Sequence, residues 1–234
     1  MKFNVIRRFL AILAIASLAC IAANAGTITQ TLQWGAGGTY VLTDWTHTLN
    51  ANQFNTLGGT LVLNQIDVAF QAQTLGDAKF EHLDPTSGAT ITMNLATVMT
   101  ASYLNGIVLS LTPTASTTDT VGAFDGVIDF GGTSGKTYTG LTATTSTSAT
   151  YTTGAEMGVF TGPGTVAFNL AANGASTAGG SGNLVTQFAD TARSTVTITY
   201  TYSESGTTPE PATMAMLGSA LIGLGVLGRK RFAR

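Results

Sequence analysis

Thiols and charge are what this chain of 234 residues has least of. Its single cysteine, Cys20, lies within residues 1–25. Loss of that segment leaves a mature chain with no thiol, which excludes disulfides, thiolate metal sites and cysteine nucleophiles together. A secreted domain of this length manages without staples because its core is large enough. Charged residues are 9% of the chain, against about a quarter in an ordinary soluble protein. Bases are scarcest in the middle. Residues 26–208 hold Lys79, Lys136 and Arg193 against eleven acids, a formal charge of −8. Such a stretch cannot neutralise a phosphate backbone, so nucleic-acid binding is excluded.

Catalytic signatures are missing too. His47 and His82 are the only imidazoles. His47 lies in Trp45-Thr46-His47-Thr48-Leu49 and reads as a half-exposed strand residue. His82 lies in the polar stretch Lys79–Pro85 and reads as a solvated loop residue. No Gly-x-Ser-x-Gly elbow occurs, and Gly180-Ser181-Gly182 lacks its spacing and context. Gly35-Ala36-Gly37-Gly38 matches neither a phosphate loop nor a dinucleotide fingerprint. Sequence alone gives no pairing of the acids for glycoside hydrolysis. The chain is therefore expected not to be an enzyme.

What is present begins at the two ends, whose bases offset the acidic middle and bring the formal charge to −2. Lys2, Arg7 and Arg8 precede the apolar run Phe9–Ala19, which leads to Ala23-Asn24-Ala25. This is the basic, apolar, small-x-small order of an export signal, with cleavage by signal peptidase between Ala25 and Gly26. Cys20 is not placed for lipidation, because Ser17 stands where a lipoprotein signal has Leu.

At the other end, Pro209-Glu210-Pro211 is followed by the uncharged stretch 212–228 and then by Arg229-Lys230-Arg231 within the basic tail 229–234. As a helix, 212–228 would reach about 25 Å, enough for a thin bilayer. The basic tail would stay in the cytoplasm, with residues 26–208 outside the inner membrane. Prolines on both sides of Glu210 keep the motif extended and readable by a protease.

This order of elements resembles the PEP-CTERM sorting signal. The resemblance implies recognition of Pro209, Glu210 and Pro211 by an exosortase-type membrane protease. It also implies transient anchoring by the C-terminal helix, followed by release or re-anchoring at the cell surface. Bearers of that signal are commonly surface or exopolysaccharide-associated proteins.

Between the signals, residues 26–202 alternate apolar and polar with many β-branched residues. Thr195–Tyr202 alternates most clearly, and Asn64–Phe70 does so after Leu61-Val62-Leu63. Strands are also expected at Thr27–Trp34, Thr46–Leu49, Ile91–Val98, Ile107–Leu111, Val127–Phe130, Thr137–Leu141 and Thr165–Leu170. Glycine clusters punctuate them, and no long amphipathic helix is present. The expected class is all-β, an antiparallel two-sheet β-sandwich of jelly-roll type. The Thr/Ser stretch Thr142–Thr153 reads as a loop or solvent-facing strand, with a glycan-bearing segment as the alternative. Asn173–Asn183 reads as a Gly-rich loop, and residues 203–208 as a linker.

Residues 26–202 also resemble the choice-of-anchor E domain. The likeness is carried by Ile28-Thr29-Gln30-Thr31-Leu32, Leu49–Gly58, Gly162–Leu170 and Val196–Tyr202. It implies an extracellular β domain with no established catalysis.

The leading expectation is a non-catalytic surface or matrix protein whose Thr/Ser-rich face meets polysaccharide. The alternative is a carbohydrate-binding module stacking sugars on Trp34, Tyr40, Trp45, Tyr103, Tyr138 or Tyr151. A hydrolase comes third. No cofactor is expected except Ca²⁺, for which Asp119, Asp125 and Asp129 are the weak candidates and Asp77, Glu81 and Asp84 a second group.

Overall fold

A computed structural model of the chain describes residues 25–35, 39–103, 106–205 and 216–222. In chain order the strands are β1 (Ala25–Trp34), β2 (Val41–Leu42), β3 (Trp45–Asn52), β4 (Leu61–His82), β5 (Ala89–Tyr103) and β6 (Ile107–Leu111). They continue with β7 (Thr114–Val121), β8 (Gly135–Tyr151), β9 (Thr165–Gly174), β10 (Thr177–Gly179) and β11 (Leu184–Glu204). A single helical turn, α1 (Ala155–Val159), lies between β8 and β9.

The chain divides into two compact units. One takes in Thr27–Thr56 and Leu63–Tyr202 and contains the sandwich. The other takes in Met1–Gly26, Leu57–Val62 and Ser203–Arg234. In that second unit Ser205 N–H donates to Thr60 O at 2.7 Å, and residues 216–222 are helical.

Two antiparallel sheets form the sandwich. The first runs β1-β11-β4-β8, with β2 also pairing β11. The second runs β10-β5-β9-β3, with β6 and β7 also pairing β5. On one side of β5, β7 covers Ala89–Ala96 and β6 covers Met99–Tyr103. They form one column broken at Pro113, which lacks a ladder donor. On the other side, β10 covers Thr92–Asn94 and β9 covers Thr97–Ser102. The sheets therefore hold four columns each; the chain stays within a sheet at β1–β2, β5–β6, β6–β7 and β9–β10 and changes sheet at every other connection. This is the jelly-roll order, as the alternation of the sequence led us to expect.

Strand periodicity explains the core. On β4, Ile66, Val68, Phe70, Ala72, Ala78 and Phe80 point inward and are buried. On β5, Ile91, Met93, Leu95, Met99 and Ala101 meet them, with Phe168 and Leu170 of β9 and Val196, Ile198 and Tyr200 of β11. Phe160, just past α1, packs against Tyr103, Phe168 and Tyr200 with ring centroids 6.1–6.3 Å apart. The sides are closed by side chains. Gln30 of β1 donates to Asn52 O (2.7 Å) and accepts from Asn52 N–H (2.8 Å), acting as a short strand edge for β3. On the opposite side, Tyr138 of β8 donates to Asp119 of β7.

Three expectations need correction. Val127–Phe130 is not a strand; it lies in the loop between β7 and β8, where Phe130 adopts φ 58°. Its apolar residues mimic a strand, yet Val127 and Ile128 are exposed. Lys79–Pro85 is not a solvated loop, because β4 continues to His82, which is buried. Asn173–Asn183 is only partly loop, since it contains the end of β9 and all of β10.

Candidate functional site: a hydroxyl-lined trough on the second sheet

The sorting residues fall mostly outside the described part. Ala25 and Gly26 open β1, whereas Ala23, Pro209, Glu210, Pro211, Arg229, Lys230 and Arg231 lie outside the described residues. Of the apolar stretch 212–228, residues 216–222 are helical. No helix among the described residues is long and apolar enough to cross a membrane.

The acids singled out for Ca²⁺ are spent on the fold. Asp119 accepts from the Tyr138 hydroxyl and lies 3.4 Å from Lys136 Nζ. The Tyr138 hydrogen bond, helped by the Lys136 charge and opposed by desolvation, holds the Asp119 carboxyl below its usual range. Asp125 accepts from Val127 N–H at 3.1 Å, and Asp129 from Gly131 N–H at 2.9 Å, so both fix turns of the β7–β8 loop. In the second group, Asp77 accepts from Gly140 N–H (2.9 Å). Asp84 accepts from the backbone and hydroxyls of Thr86 and Ser87, with Thr86 N–H acting most strongly to push its carboxyl far below the normal range. Among the described residues no three His, Cys, Asp or Glu side chains come together to hold a metal ion.

Glu81 and His82 form a latch. Glu81 is fully buried and accepts from Ser134 Oγ (2.6 Å) and Phe130 N–H (2.8 Å). His82 Nδ1 lies 3.2 Å from Gly122 O. Together they pin both ends of the β7–β8 loop to the end of β4. Sequence reasoning missed this latch, because its partners are some 40–50 residues away; the one hint was the polar pair Glu81-His82 continuing an alternating strand.

The candidate stacking aromatics are engaged internally. Trp34 stacks on His47 at 3.5 Å between centroids and meets Trp45 edge-on at 6.1 Å. Tyr40 lies under Arg193, whose guanidinium carbon is 4.7 Å from the ring centroid. The hydroxyls of Tyr103 and Tyr151 meet at 2.8 Å, and burial pushes Tyr103 well above its ordinary value. His47 is half-buried on β3, as its strand context suggested. These contacts occupy one face of Trp34 and join β1 to β3.

The outer face of the second sheet offers an open polar surface. Register places Thr48 of β3, Asn169 of β9 and Ser102 of β5 in one row, and Thr46, Ala171 and Thr100 in the next. Thr48 Oγ1 donates to Asn169 Oδ1 at 2.8 Å, and Ser102 Oγ to Asn169 O at 3.3 Å. The middle column carries Ala167 and Ala171, whose methyl groups leave a dip between taller hydroxyl-bearing neighbours. Two shallow hollows of about 460 and 450 Å³ result, sharing Ser102 and Asn169. Hydroxyls and amides dominate the lining, to which half-buried His47 and buried Tyr103 also contribute. It can exchange hydrogen bonds with a polyhydroxylated ligand. Thr46, Thr48 and Asn169 lay in strands the sequence marks, whereas Thr100 and Ser102 lie in the part of β5 beyond the expected Ile91–Val98; their neighbourhood depends on register, which the sequence does not show.

With this geometry in place, comparison adds the tail. Residues 207–231 match the PEP-CTERM protein-sorting motif. The match contains Pro209-Glu210-Pro211 and Arg229-Lys230-Arg231 and indicates an exported chain addressed to an exosortase. It does not reach the β domain. No curated protein matches the chain. Among solved structures, chains from infectious bursal disease virus strains Gx and Gt cover 79% and 80% of this chain at 11% identity, with TM-scores of 0.17 and 0.18. This chain spans only 37–40% of theirs, and likeness at that level carries no argument. The class so defined is an exported jelly-roll protein with a C-terminal sorting motif.

Proposed function

We propose that the chain is a non-catalytic protein of the cell surface or exopolysaccharide matrix. The carrying observation is the sorting motif over residues 207–231. In this reading signal peptidase cuts after Ala25, and the apolar stretch 212–228 holds the chain in the inner membrane with Arg229, Lys230 and Arg231 inside. Exosortase then acts at the Pro209-Glu210-Pro211 segment. The choice-of-anchor resemblance of residues 26–202 agrees with a domain defined by where it is held. Deleting residues 209–234 should divert the protein from the surface, read by protease accessibility on whole cells. Unchanged surface display in the deletion would overturn the assignment.

A second reading, a carbohydrate-binding module, is favoured by the hydroxyl-lined trough of Thr48, Ser102 and Asn169. Sugar recognition there would rest on hydrogen bonds, each adding about 1 kcal/mol net in water. Weak, multivalent attachment to a polymer therefore suits the surface better than tight capture of a free sugar.

A further inference from the structure

β8 forms the outer column of the first sheet and, among the described residues, pairs only with β4. A strand edge exposes a row of backbone donors and acceptors whose natural complement is another strand. Proteins usually blunt such edges with lysine, proline, a bulge or a covering segment. The other outer columns here carry such devices. β1 and β3 are tied to each other through Gln30, Asn52 and the Trp34–His47 stack. The β6–β7 column is broken at Pro113 and carries Asp119.

Over its second half β8 carries no charge, proline or bulge, and its tie to the second sheet there is the Tyr103–Tyr151 hydroxyl contact at its last residue. No charge and no proline occur between Lys136 and Glu156. Its bulge lies earlier, where Gly140 takes φ 68° and the register to β4 shifts. From Thr142 to Tyr151 the ladder with β4 is unbroken, so this half of the edge carries no bulge. Thr142, Thr144, Ser146, Ser148 and Thr150 are exposed.

The sequence of this stretch is nearly a palindrome. Reading outward from Ser146, Thr145 mirrors Thr147, Thr144 mirrors Ser148, Ala143 mirrors Ala149, and Thr142 mirrors Thr150. A two-fold interface requires a patch complementary to itself, with residue i opposite j and j opposite i. An antiparallel pair of β8 strands about Ser146 meets that requirement at every position. Hydroxyls face hydroxyls on one side; on the other, Ala143 faces Ala149 and Thr145 faces Thr147. Cross-strand Thr–Thr pairs already occur within the molecule, at Thr90–Thr120 (2.9 Å) and Thr92–Thr118 (3.0 Å), and such pairs favour antiparallel association.

We propose that β8 is a homodimerisation edge, joining two copies about a two-fold axis at Ser146 into one continuous eight-column sheet. The inference is independent of the sorting assignment, since it concerns the sandwich alone.

Disulfide trapping in the full chain, with Cys20→Ser as background, tests it. Ser146→Cys places two sulfurs across the axis, within the Cα spacing a disulfide spans. Thr144→Cys alone sets its two copies about 14 Å apart along the strands, beyond reach, whereas mixing Thr144→Cys with Ser148→Cys restores the pairing. The proposal expects disulfide-linked dimer from S146C and from the T144C/S148C mixture, roughly ten-fold above T144C alone. It also expects Ser146→Lys, which sets like charges opposite each other, to halve the sedimentation mass while leaving the β-sheet circular dichroism unchanged. Equal cross-linking of S146C and T144C would overturn the proposal. So would a monomeric parent chain, or an association that S146K leaves intact, which would point to the apolar ends instead.

Discussion

Thr74 of β4 and Thr97 of β5 are fully buried, and their hydroxyls meet at 2.9 Å across the two sheets. Thr74 Oγ1 also lies 3.2 Å from Thr191 O. Thr74 donates to Thr191 O and accepts from Thr97, so removing Thr74 strands the Thr97 hydroxyl in an apolar layer. Thr74→Val should cost about 1–3 kcal/mol, whereas the double variant T74V/T97V should recover most of that loss. Urea unfolding of the four chains in the cycle checks this; additive losses would show that the pair is not coupled. The pair also shows why residue roles were only partly readable. Threonine fits strands on either face, so a Thr-rich sequence suggests an outward polar face everywhere. Thr48, Thr90 and Thr118 obey that reading, whereas Thr74 and Thr97 do not. Inward hydroxyls are tolerated here because each finds a partner on the facing sheet, and that partner is 23 residues away. Burial of His82 follows the same logic, since Gly122 O supplies its contact from 40 residues off.

At the scale of elements, close approach between strands sets the strictest requirement. A Cβ on Gly76 of β4 would come within 2.1 Å of Ala189 O on β11. The clash is with backbone, so the neighbour cannot swing aside. Gly76→Ala should destabilise the sandwich by about 1–3 kcal/mol through overpacking. Gly158→Ala in α1 meets nothing within 4 Å and should be neutral or slightly stabilising. Thermal unfolding of the two variants separates these outcomes, and equal midpoints would contradict the account. Most strands were legible as alternation, but their lengths were not. β4 runs to His82 rather than Phe70, because Ala72 and Thr74 occupy inward positions without an obvious hydrophobic signature. The Thr142–Thr153 stretch lacked large apolar residues for a different reason. As the outer column, its inward face carries Ala143, Thr145, Thr147 and Ala149, and large side chains appear only at Leu141 and Tyr151. Val127–Phe130 erred in the other direction, because a loop pinned by Glu81 presents Val127 and Ile128 to solvent.

For the whole molecule, charge separates address from domain. Bases gather at the two ends, and most acids of the domain, such as Asp67, Glu81, Asp84 and Asp190, act as turn and strand fasteners. That division explains why destination was readable when chemistry was not. A sorting signal is a contiguous string, recognised in extended form by a processing enzyme, so sequence displays it directly. The trough around Asn169 is assembled from three strands and exists only once their register is set. The two-fold edge proposed at β8 would place two such hydroxyl-lined surfaces in one assembly.

The most direct measurement is mass spectrometry of the termini of the protein recovered from intact cell surfaces. The account predicts a mature chain that starts at Gly26 and lacks the basic tail 229–234, while cells without exosortase retain that tail. A surface-exposed species that still ends in Arg234 in exosortase-competent cells would contradict it.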